Sequence, residues 1–556
     1  MTQHQFLRRA RNAAAALAVS ALVLTGCSAN QSSPGADAPE RTLLTIPRED
    51  MGTFVRNFNP FSPNVAPMTQ QAIYESMLIY NPADGTTTPW LATEWEVAED
   101  GKSITFTLRD GVTWSDGEPL LGEDVAYTFE LQRELLGGFD YLDAVTADGN
   151  TVTFTFNTAF SPALYEVGQQ IIVPKHIWSA IDDPSKETNE TPVGTGPYTE
   201  VAQFQDQSFV LEKNPNYWQP EKQQIEGIRM LAFAGNDGAN LAAVNGDVDW
   251  APQFMPNIEE TFISKDPENR TYWFPPTGAM INWQLNTAKA PFDDVDVRKA
   301  LSMAVNREQV TSIGMSGYTD PADCTGLSGA YEKWKSEEVL ADCDWTEYNA
   351  DAANALLDEA GYPKGEDGMR TLKDGSPFTF DISVGSASSD WLSVANVISQ
   401  NLADVGITAT VDAPDWATVV SGYELGEFDT GIVWSNNAPT PYQYFKGIMG
   451  TSTVKPVGEK TFENYHRYGN EEADQLLADF AATSDEAEQS ELADDLQEVY
   501  SENAPTVPLF PGPEWGAYTD VNFEGWPTED NPYATLSVRA PTTVLVLTSL
   551  TPASAQ

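Results

Sequence analysis

Two cysteines of this 556-residue chain have a spacing that suits a structural disulfide. Cys324 and Cys343 stand 19 positions apart. Closing a loop of about 20 residues would stabilise a fold by about 3 kcal/mol in the chain-entropy model. In an exported chain such a pair is expected to be oxidised, the alternative being two buried free thiols. We therefore predict a bridge between Cys324 and Cys343.

Candidate catalytic and metal-binding residues are few. His4, His176 and His466 are the three histidines of the sequence, and they lack HExxH-type spacing, so we expect no metal site and no other cofactor. The GxSxG pattern does not occur, and no SxxK or Cys-His arrangement in the sequence supports another hydrolase. The 82 Asp and Glu residues always offer carboxylate pairs, so a secreted glycoside hydrolase stays open as a remote alternative. The expectation is a protein that is not an enzyme.

The third cysteine, Cys27, follows an export signal. Arg8, Arg9 and Arg11 precede an apolar run that ends at Leu24, a layout typical of a secretory signal peptide. The segment Leu24-Thr25-Gly26-Cys27 resembles the lipobox of bacterial lipoproteins, which are cut before the cysteine and carry lipid on it. Residues 1–26 would then be the signal peptide and 27–40 a flexible tether. An ordinary signal peptide with an incidental cysteine is the alternative. We expect a lipid anchor on the extracytoplasmic face of the membrane.

Charge and hydropathy restrict the partners. The formal net charge is −52, and the acids are scattered along the chain. Such a surface repels nucleic acid and anionic lipid. Beyond the signal, no run of 18 or more apolar residues predicts a transmembrane helix. We expect a monomer that binds no nucleic acid and touches the membrane through its lipid.

Helical and strand patterns alternate along the rest of the chain, which indicates a mixed α/β protein. Period-two alternation predicts strands in 103–117, which turns at Asp116-Gly117, in 150–157, in 408–413 and in the apolar 542–550. Helical spacing predicts helices over 122–135, 296–310, 349–362 and 391–407, and a helical pair over 471–505. Asn349 suits the N-cap of its helix and Gly361 the position after its end.

Four sequence blocks occur in the order found in one transporter-associated family. They are "PWLATEWEVAEDGKSITFTLRDGVTWSDGEPLLGEDVAYTF" (89–129), "PVGTGPYTEV" with "FVLEKNPNYW" (192–218), "LAAVNGDVDW" (241–250) and "NTAKAPFDDVDVRKALSMAVNREQV" (286–310). The chain resembles the family 5 extracellular solute-binding proteins of ABC importers, which bind oligopeptides, nickel complexes or oligosaccharides. The resemblance runs from about Phe54 to the end. The glycines of "GTGPY" (194–198) suit a turn, since no Walker pattern surrounds them.

This resemblance implies a fold and its division. The expected fold is a two-lobed, type II periplasmic-binding-protein-like α/β clam-shell that traps ligand between its lobes. The first lobe would comprise 41–286, with an extra subdomain at about 81–192, and a C-terminal return, 511–556. The second lobe would comprise 287–510. The partner would be an ABC permease in the membrane.

The choice of ligand depends on one stretch, "GIVWSNNAPTPYQYF" (431–445). Peptide binders of the family usually hold the peptide ammonium with an aspartate here, after a Gly-Trp or similar pair. This chain has Ser435, Asn436 and Asn437 instead. A buried ammonium without a countercharge is costly, whereas amides donate to and accept from neutral hydroxyls. We expect a neutral, cello-oligosaccharide-like ligand, with an oligopeptide as the alternative.

The candidate ligand-binding residues combine flat aromatic faces with amides, both suited to sugar rings. They fall near lobe junctions or in the ligand-facing blocks, and are Asn57, Trp250, Trp283, Trp434, Asn436, Asn437 and Trp515.

Overall fold

The computed structural model describes residues 43–436 and 438–554, all within one compact unit, Thr42–Gln556. Cys27 and Asn437 therefore lie outside the described residues.

The α-helices are Gly122–Leu136, Ala163–Gly168, Lys175–Trp178, Asn236–Asn245, Ile258–Thr261, Val295–Ala304, Arg307–Gln309, Glu337–Leu340, Ala350–Glu359, Ser389–Asp404, Trp416–Leu425, Tyr442–Met449, Glu471–Ala482, Glu486–Asn503 and Thr543–Ser549. Within the described ranges, no helix combines the length and apolar character needed to cross a bilayer.

Two sheets build the first lobe. In the first sheet the strand order is Leu44–Arg48, Gly227–Ala232, Ser208–Lys213, Tyr198–Gln205, and the outer pair Leu44–Arg48 and Gly227–Ala232 is parallel. The second sheet is antiparallel, in the order Ala92–Val97, Ser103–Leu108, Thr151–Phe156, Leu142–Asp148. Alternate residues of Ser103–Leu108 are buried, as period-two patterning requires. Small pairings join Leu78–Tyr80 to Thr87–Pro89 and Phe523–Glu524 to Thr551–Pro552.

The turn at "GTGPY" is scaffold, as its sequence predicts. A Cβ on Gly194 would lie 1.9 Å from the carbonyl oxygen of Ile73, and one on Gly196 would lie 2.3 Å from that of Ala72. Both positions therefore need glycine so that two backbone segments can approach closely.

One five-stranded sheet forms the centre of the second lobe. Its strand order is Thr408–Asp412, Thr379–Ser383, Thr430–Trp434, Pro276–Leu285, Val507–Pro513. Thr379–Ser383 and Thr408–Asp412 are parallel, and helix Ser389–Asp404 connects them as a crossover. Val394, Ile398 and Leu402 of that helix are fully buried, since their spacing of four places them on one face.

The lobes are joined by two strands that run side by side. Pro276–Leu285 and Val507–Pro513 pair antiparallel, and the pairing continues past them, where Glu514 N donates to Pro275 O at 3.2 Å. Beyond it lies a small sheet of Trp250–Ala251, Ala517–Thr519 and Arg270–Tyr272. We call this pair of crossing strands the hinge ribbon. Most of Pro276–Leu285 belongs to the second-lobe sheet, so the crossing begins before the expected boundary at residue 286; the other boundaries stay predictions.

Local sequence signals place both ends of the helix Ala350–Glu359. Asn349 caps its helix by accepting from Ala352 N at 3.0 Å, and Gly361 follows that helix with a φ of 91°. The structure also pairs Cys324 with Cys343 in a disulfide, with Cα atoms 5.4 Å apart. These three sequence predictions are confirmed.

Two element predictions need correction. The helix expected over 296–310 ends at Ala304, because Val305 is extended and Asn306 caps a new turn by accepting from Gln309 N. The segment 542–550, expected to be a strand, contains helix Thr543–Ser549. Short apolar runs fit either structure, and here Val546, Leu547 and Leu550 pack into the first-lobe core.

Candidate ligand-binding cleft

A cavity of about 910 Å³ lies between the two lobes, within the range for pockets that enclose small ligands. The hinge ribbon contributes Thr277, Ala279, Ile281 and Phe510, and Trp515 lies just beyond its second strand. The first lobe adds a polar wall and the second lobe a wall that is mainly aromatic and amide-bearing. Because opposite walls of the cavity belong to different lobes, the cavity forms only when the two lobes are close together.

The aromatic wall is a group of stacked and tilted tryptophans. The ring centroid of Trp434 is 5.6 Å from that of Trp416 and 5.9 Å from that of Trp391. Trp434 ends the strand Thr430–Trp434 and is 47% exposed, although a large aromatic side chain usually buries most of its area. Its free face is therefore available to a ligand in the cavity.

The opposite wall comes from the first lobe. Tyr80 and Tyr165 pack edge to face, with centroids 5.3 Å apart, and Gln169 and Glu166 lie beside them. Glu166 accepts a hydrogen bond from Gln443 Nε2 of the second lobe. Burial raises the pKa of the Glu166 carboxyl, while the charge of Lys446 acts in the opposite direction. This wall is thus polar and carries one acid that already has a partner.

Direct contacts hold the lobes together on both sides of the cavity. On one side, Ser161 N donates to Ala481 O at 2.7 Å, and Gln489 Nε2 donates to Ser161 Oγ at 3.0 Å. On the other side, Asn236 donates from its backbone to Ala387 O at 3.3 Å. The cleft is therefore closed on both sides by contacts between the lobes.

The stretch after Trp434 is fixed by its own hydrogen bonds. Ser435 Oγ accepts from Met280 N at 2.8 Å, and Ala438 N donates to Tyr331 Oη at 2.9 Å. Asn436 lines the cavity, and its Nδ2 donates to Glu463 Oε2 at 3.3 Å. The described residues of this stretch present a hydroxyl and an amide at the position where the sequence comparison expects an acid in peptide binders.

The structure brings three of the sequence candidates to the cavity: Trp434, Asn436 and Trp515. Trp250 is instead a core residue of the first lobe, where its Nε1 donates to Leu536 O at 2.9 Å. Asn57 is also buried, and it shapes its own loop by donating to Ser62 Oγ at 2.8 Å. Neither side chain lines the cavity, so the expectation that they face a ligand is corrected.

Trp283 requires the same correction for a different reason. As an odd-numbered residue of the same strand, Trp283 is two residues after Ile281, which lines the cavity together with Thr277 and Ala279. However, it lies further along the strand, where the sheet is covered by helices and its ring stacks on Phe380. Trp283 therefore does not reach the cleft because it lies too far along the strand from the cavity.

Several cavity residues escaped the sequence analysis, among them Tyr80, Tyr165, Glu166, Trp391 and Arg539. Trp391 stood in a predicted helix, but nothing in the local pattern showed that the start of this helix faces the other lobe. The remaining four belong to the first lobe or its C-terminal return, and no motif marks them. Among the described residues, no group of three His, Cys, Asp or Glu side chains could hold a metal ion.

Comparisons with known proteins identify this architecture. The model of a family described as bacterial extracellular solute-binding proteins, family 5 Middle, matches residues 86–456. A nickel-binding periplasmic protein of Escherichia coli K12 is 26% identical over 510 residues, covering 87% of this chain and 92% of that protein. Protein XP55 of Streptomyces lividans is 30% identical over 58% of each chain.

Solved structures share the two-lobed fold. A periplasmic oligopeptide-binding protein of an oligopeptide ABC transporter from Thermotoga maritima, bound to mannohexaose, superimposes with a TM-score of 0.85 and 26% identity, covering 93% of this chain and 100% of that one. The oligopeptide-binding protein AppA of Bacillus subtilis, in complex with a nonapeptide, has a TM-score of 0.77 and 20% identity, covering 92% and 99%. This chain belongs to the bacterial extracellular solute-binding proteins of family 5, the substrate-binding components of ABC importers.

Proposed function

We propose that this protein captures a neutral oligosaccharide of the β-linked glucose type in the cleft and delivers it to an ABC permease. The observation that carries the proposal is the exposed ring face of Trp434 within a cavity whose opposite wall is polar. Sugar rings combine flat apolar C–H faces with hydroxyl edges. An aromatic face and an amide such as Asn436 match these two kinds of surface.

The composition of the cavity supports this ligand class. Gln169, Thr440 and Gln443 add further amide and hydroxyl groups, which can donate to and accept from hydroxyls. Asn437, outside the described residues, is proposed to contribute in the same way as Asn436. The Thermotoga maritima protein of similar fold was solved with mannohexaose bound, which supports a sugar ligand for this chain.

Calorimetry decides between sugar and peptide. Cellotetraose and an unmodified tripeptide should be titrated into the purified protein, with mannohexaose as a second sugar. The proposal expects binding of cellotetraose that changes little with salt, since no ligand charge is neutralised. Binding of the tripeptide without any response to the sugars would instead assign the protein to oligopeptide transport.

We propose further that the protein binds its ligand without chemical turnover. The cavity acid Glu166 is hydrogen-bonded to a side chain of the other lobe and no catalytic motif accompanies it. Prolonged incubation with cello-oligosaccharides should leave the sugars intact in a chromatographic assay. Shorter products that disappear in a Glu166→Gln variant would establish a glycoside hydrolase.

The anchor is a separate proposal, which depends on the sequence around Cys27. We propose that lipid on Cys27 holds a monomeric receptor at the extracytoplasmic face of the membrane, within reach of its permease. Cys27→Ser should release the protein into the medium, whereas Ser28→Ala should leave it bound. Equal membrane retention of both variants would contradict the lipid anchor.

A further inference from the structure

A smaller cavity of about 220 Å³ lies beside the cleft. The two cavities share wall residues, including Trp434, Glu514 and Arg539, so a ligand in the cleft can extend into the smaller space. We call the smaller cavity the side chamber. Its volume is about a quarter of that of the cleft, which suits a compact group and not a further run of sugar rings.

Aromatic rings form much of the side-chamber wall. Trp391, Trp416 and Trp434 provide one side, with centroids about 6 Å apart. Trp515 and Phe254 provide another, with centroids at 5.2 Å. The faces of aromatic rings carry a negative quadrupole, which attracts cations within about 6 Å of the ring centroid. The walls therefore favour a positively charged group over a neutral one.

The charged residues of the side chamber give it a net negative charge. Arg539 is its one basic wall residue in the described part of the chain, and it is ion-paired with Glu49 at 2.9 Å and Asp50 at 3.0 Å. Asp390 and Glu514 complete the polar wall. Arg48, behind this wall, also pairs with Asp50, so the two arginines and the two carboxylates balance, and Asp390 and Glu514 are the further acids.

Asp390 is the central acid of this group. It is 6% exposed, and within the described residues it forms no ion pair with a basic side chain. It stands in the first turn of helix Ser389–Asp404, where the helix dipole favours an anion. Even so, burial, with a smaller contribution from the nearby Glu49 charge, raises the pKa of Asp390 to about 6. A cation placed here would stabilise the ionised carboxylate.

We propose that the side chamber binds a primary ammonium group of the ligand, held by Asp390 and Glu514 between the tryptophan faces. This proposal rests on the function proposed above, in which the cleft holds the sugar rings. The part of the ligand in the cleft stays a run of neutral sugar rings, and the inference adds one amino sugar whose ammonium group enters the side chamber. The amino terminus of a peptide presents the same ammonium chemistry, so the test must separate the two sources.

Matched ligands isolate the contribution of the ammonium group. A β-1,4-linked glucosamine tetramer differs from cellotetraose by an amino group in place of one hydroxyl on each ring, and its N-acetylated form lacks the charge. We expect the glucosamine tetramer, protonated, to bind roughly tenfold more tightly than either neutral sugar. Added salt should reduce this preference.

Variants locate the effect in the side chamber. Asp390→Asn and Glu514→Gln should each reduce the preference for the glucosamine tetramer. Asp390 lines only the side chamber, so Asp390→Asn should also leave cellotetraose binding nearly unchanged. Asp404→Asn, at the exposed end of the same helix, should keep the full preference. Thermal unfolding of each variant shows that it is folded before its affinities are compared.

The possible outcomes distinguish this inference from the proposed function. Equal binding of glucosamine tetramer and cellotetraose would overturn the ammonium site and leave the oligosaccharide function in place. Failure of every sugar, together with binding of a tripeptide but not its N-acetylated form, would keep the ammonium site and overturn the oligosaccharide function. A preference that survives in Asp390→Asn and Glu514→Gln would also overturn the assignment to this chamber.

Discussion

Replacing Trp434 by alanine tests the cleft most directly. The ring is 47% exposed in a cavity wall and contacts Trp391 and Trp416 on its buried side. A ligand ring stacked on its free face would remove that exposed part from water. The variant should therefore lose affinity for the ligand more than it loses stability.

The magnitude follows from the exposed area. A tryptophan offers about 250 Å² of surface, so the exposed part amounts to roughly 120 Å². At about 25 cal/mol per Å² its full coverage is worth about 3 kcal/mol, or roughly a 150-fold change in Kd. Because a sugar ring covers only part of this face, we expect Trp434→Ala to weaken binding between tenfold and about 150-fold.

The assay is calorimetric titration of wild type and variant with the same oligosaccharide. Phe462→Ala is the matched control, since Phe462 is 67% exposed and does not line the cavity. Unfolding of Trp434→Ala should show a loss of about 1–3 kcal/mol from the two ring pairs. A folded Trp434→Ala variant whose affinity falls less than about threefold would refute the stacking argument.

Three further predictions concern stability and closure. Burial raises the pKa of Asp390 to about 6 from an ordinary value of 3.8, so the folded state loses stability as the pH rises between these values. In urea unfolding, Asp390→Asn should therefore gain up to about 3 kcal/mol of stability near pH 7 and none near pH 4. A gain in stability that does not depend on pH would contradict this cause. Replacing both Cys324 and Cys343 by serine should cost about 3 kcal/mol in thermal unfolding and abolish the response to reductant; a double variant as stable as the wild type would be the contrary result. Gln443→Ala removes the hydrogen bond to Glu166 across the lobes. Without ligand, the variant should show a larger radius of gyration in solution scattering, and it should bind its ligand about fivefold more weakly. An unchanged radius of gyration would mean that this hydrogen bond does not hold the cleft closed.

Local signals in the sequence account for much of the fold. Asn349 places a helix start because its side chain caps a backbone amide at a fixed sequence distance. The alternation in Ser103–Leu108 likewise gives the buried face of a strand. The strand prediction for the apolar segment 542–550 was wrong because its pattern fits a strand and a helix equally well. Its tertiary contacts in the first-lobe core decide between the two.

The candidate site was less predictable, since its walls combine segments that are far apart in sequence. Trp250 and Trp434 are alike in local context, since each stands at one end of a short strand. The first is covered by Trp526 and Leu536 from the C-terminal part of the chain, and the second faces the cavity. Residue type therefore indicates which side chains could stack on a sugar, whereas long-range packing determines which of them can reach it.

The C-terminal return of the chain has a consequence for export. Residues of this last part complete first-lobe structure begun almost 500 positions earlier, as when Arg539 pairs with Glu49 and Asp50. Ala517–Thr519 likewise forms the centre of a sheet whose two edges, Trp250–Ala251 and Arg270–Tyr272, come from the middle of the chain. A chain that is threaded across a membrane from its amino terminus presents those edges long before their partner arrives, and pairings that distant in sequence form slowly. Under the export proposed above, the second lobe would assemble while translocation continues and the first lobe would close last, so the unpaired edges of the first lobe would be the part of the nascent protein that most needs a chaperone.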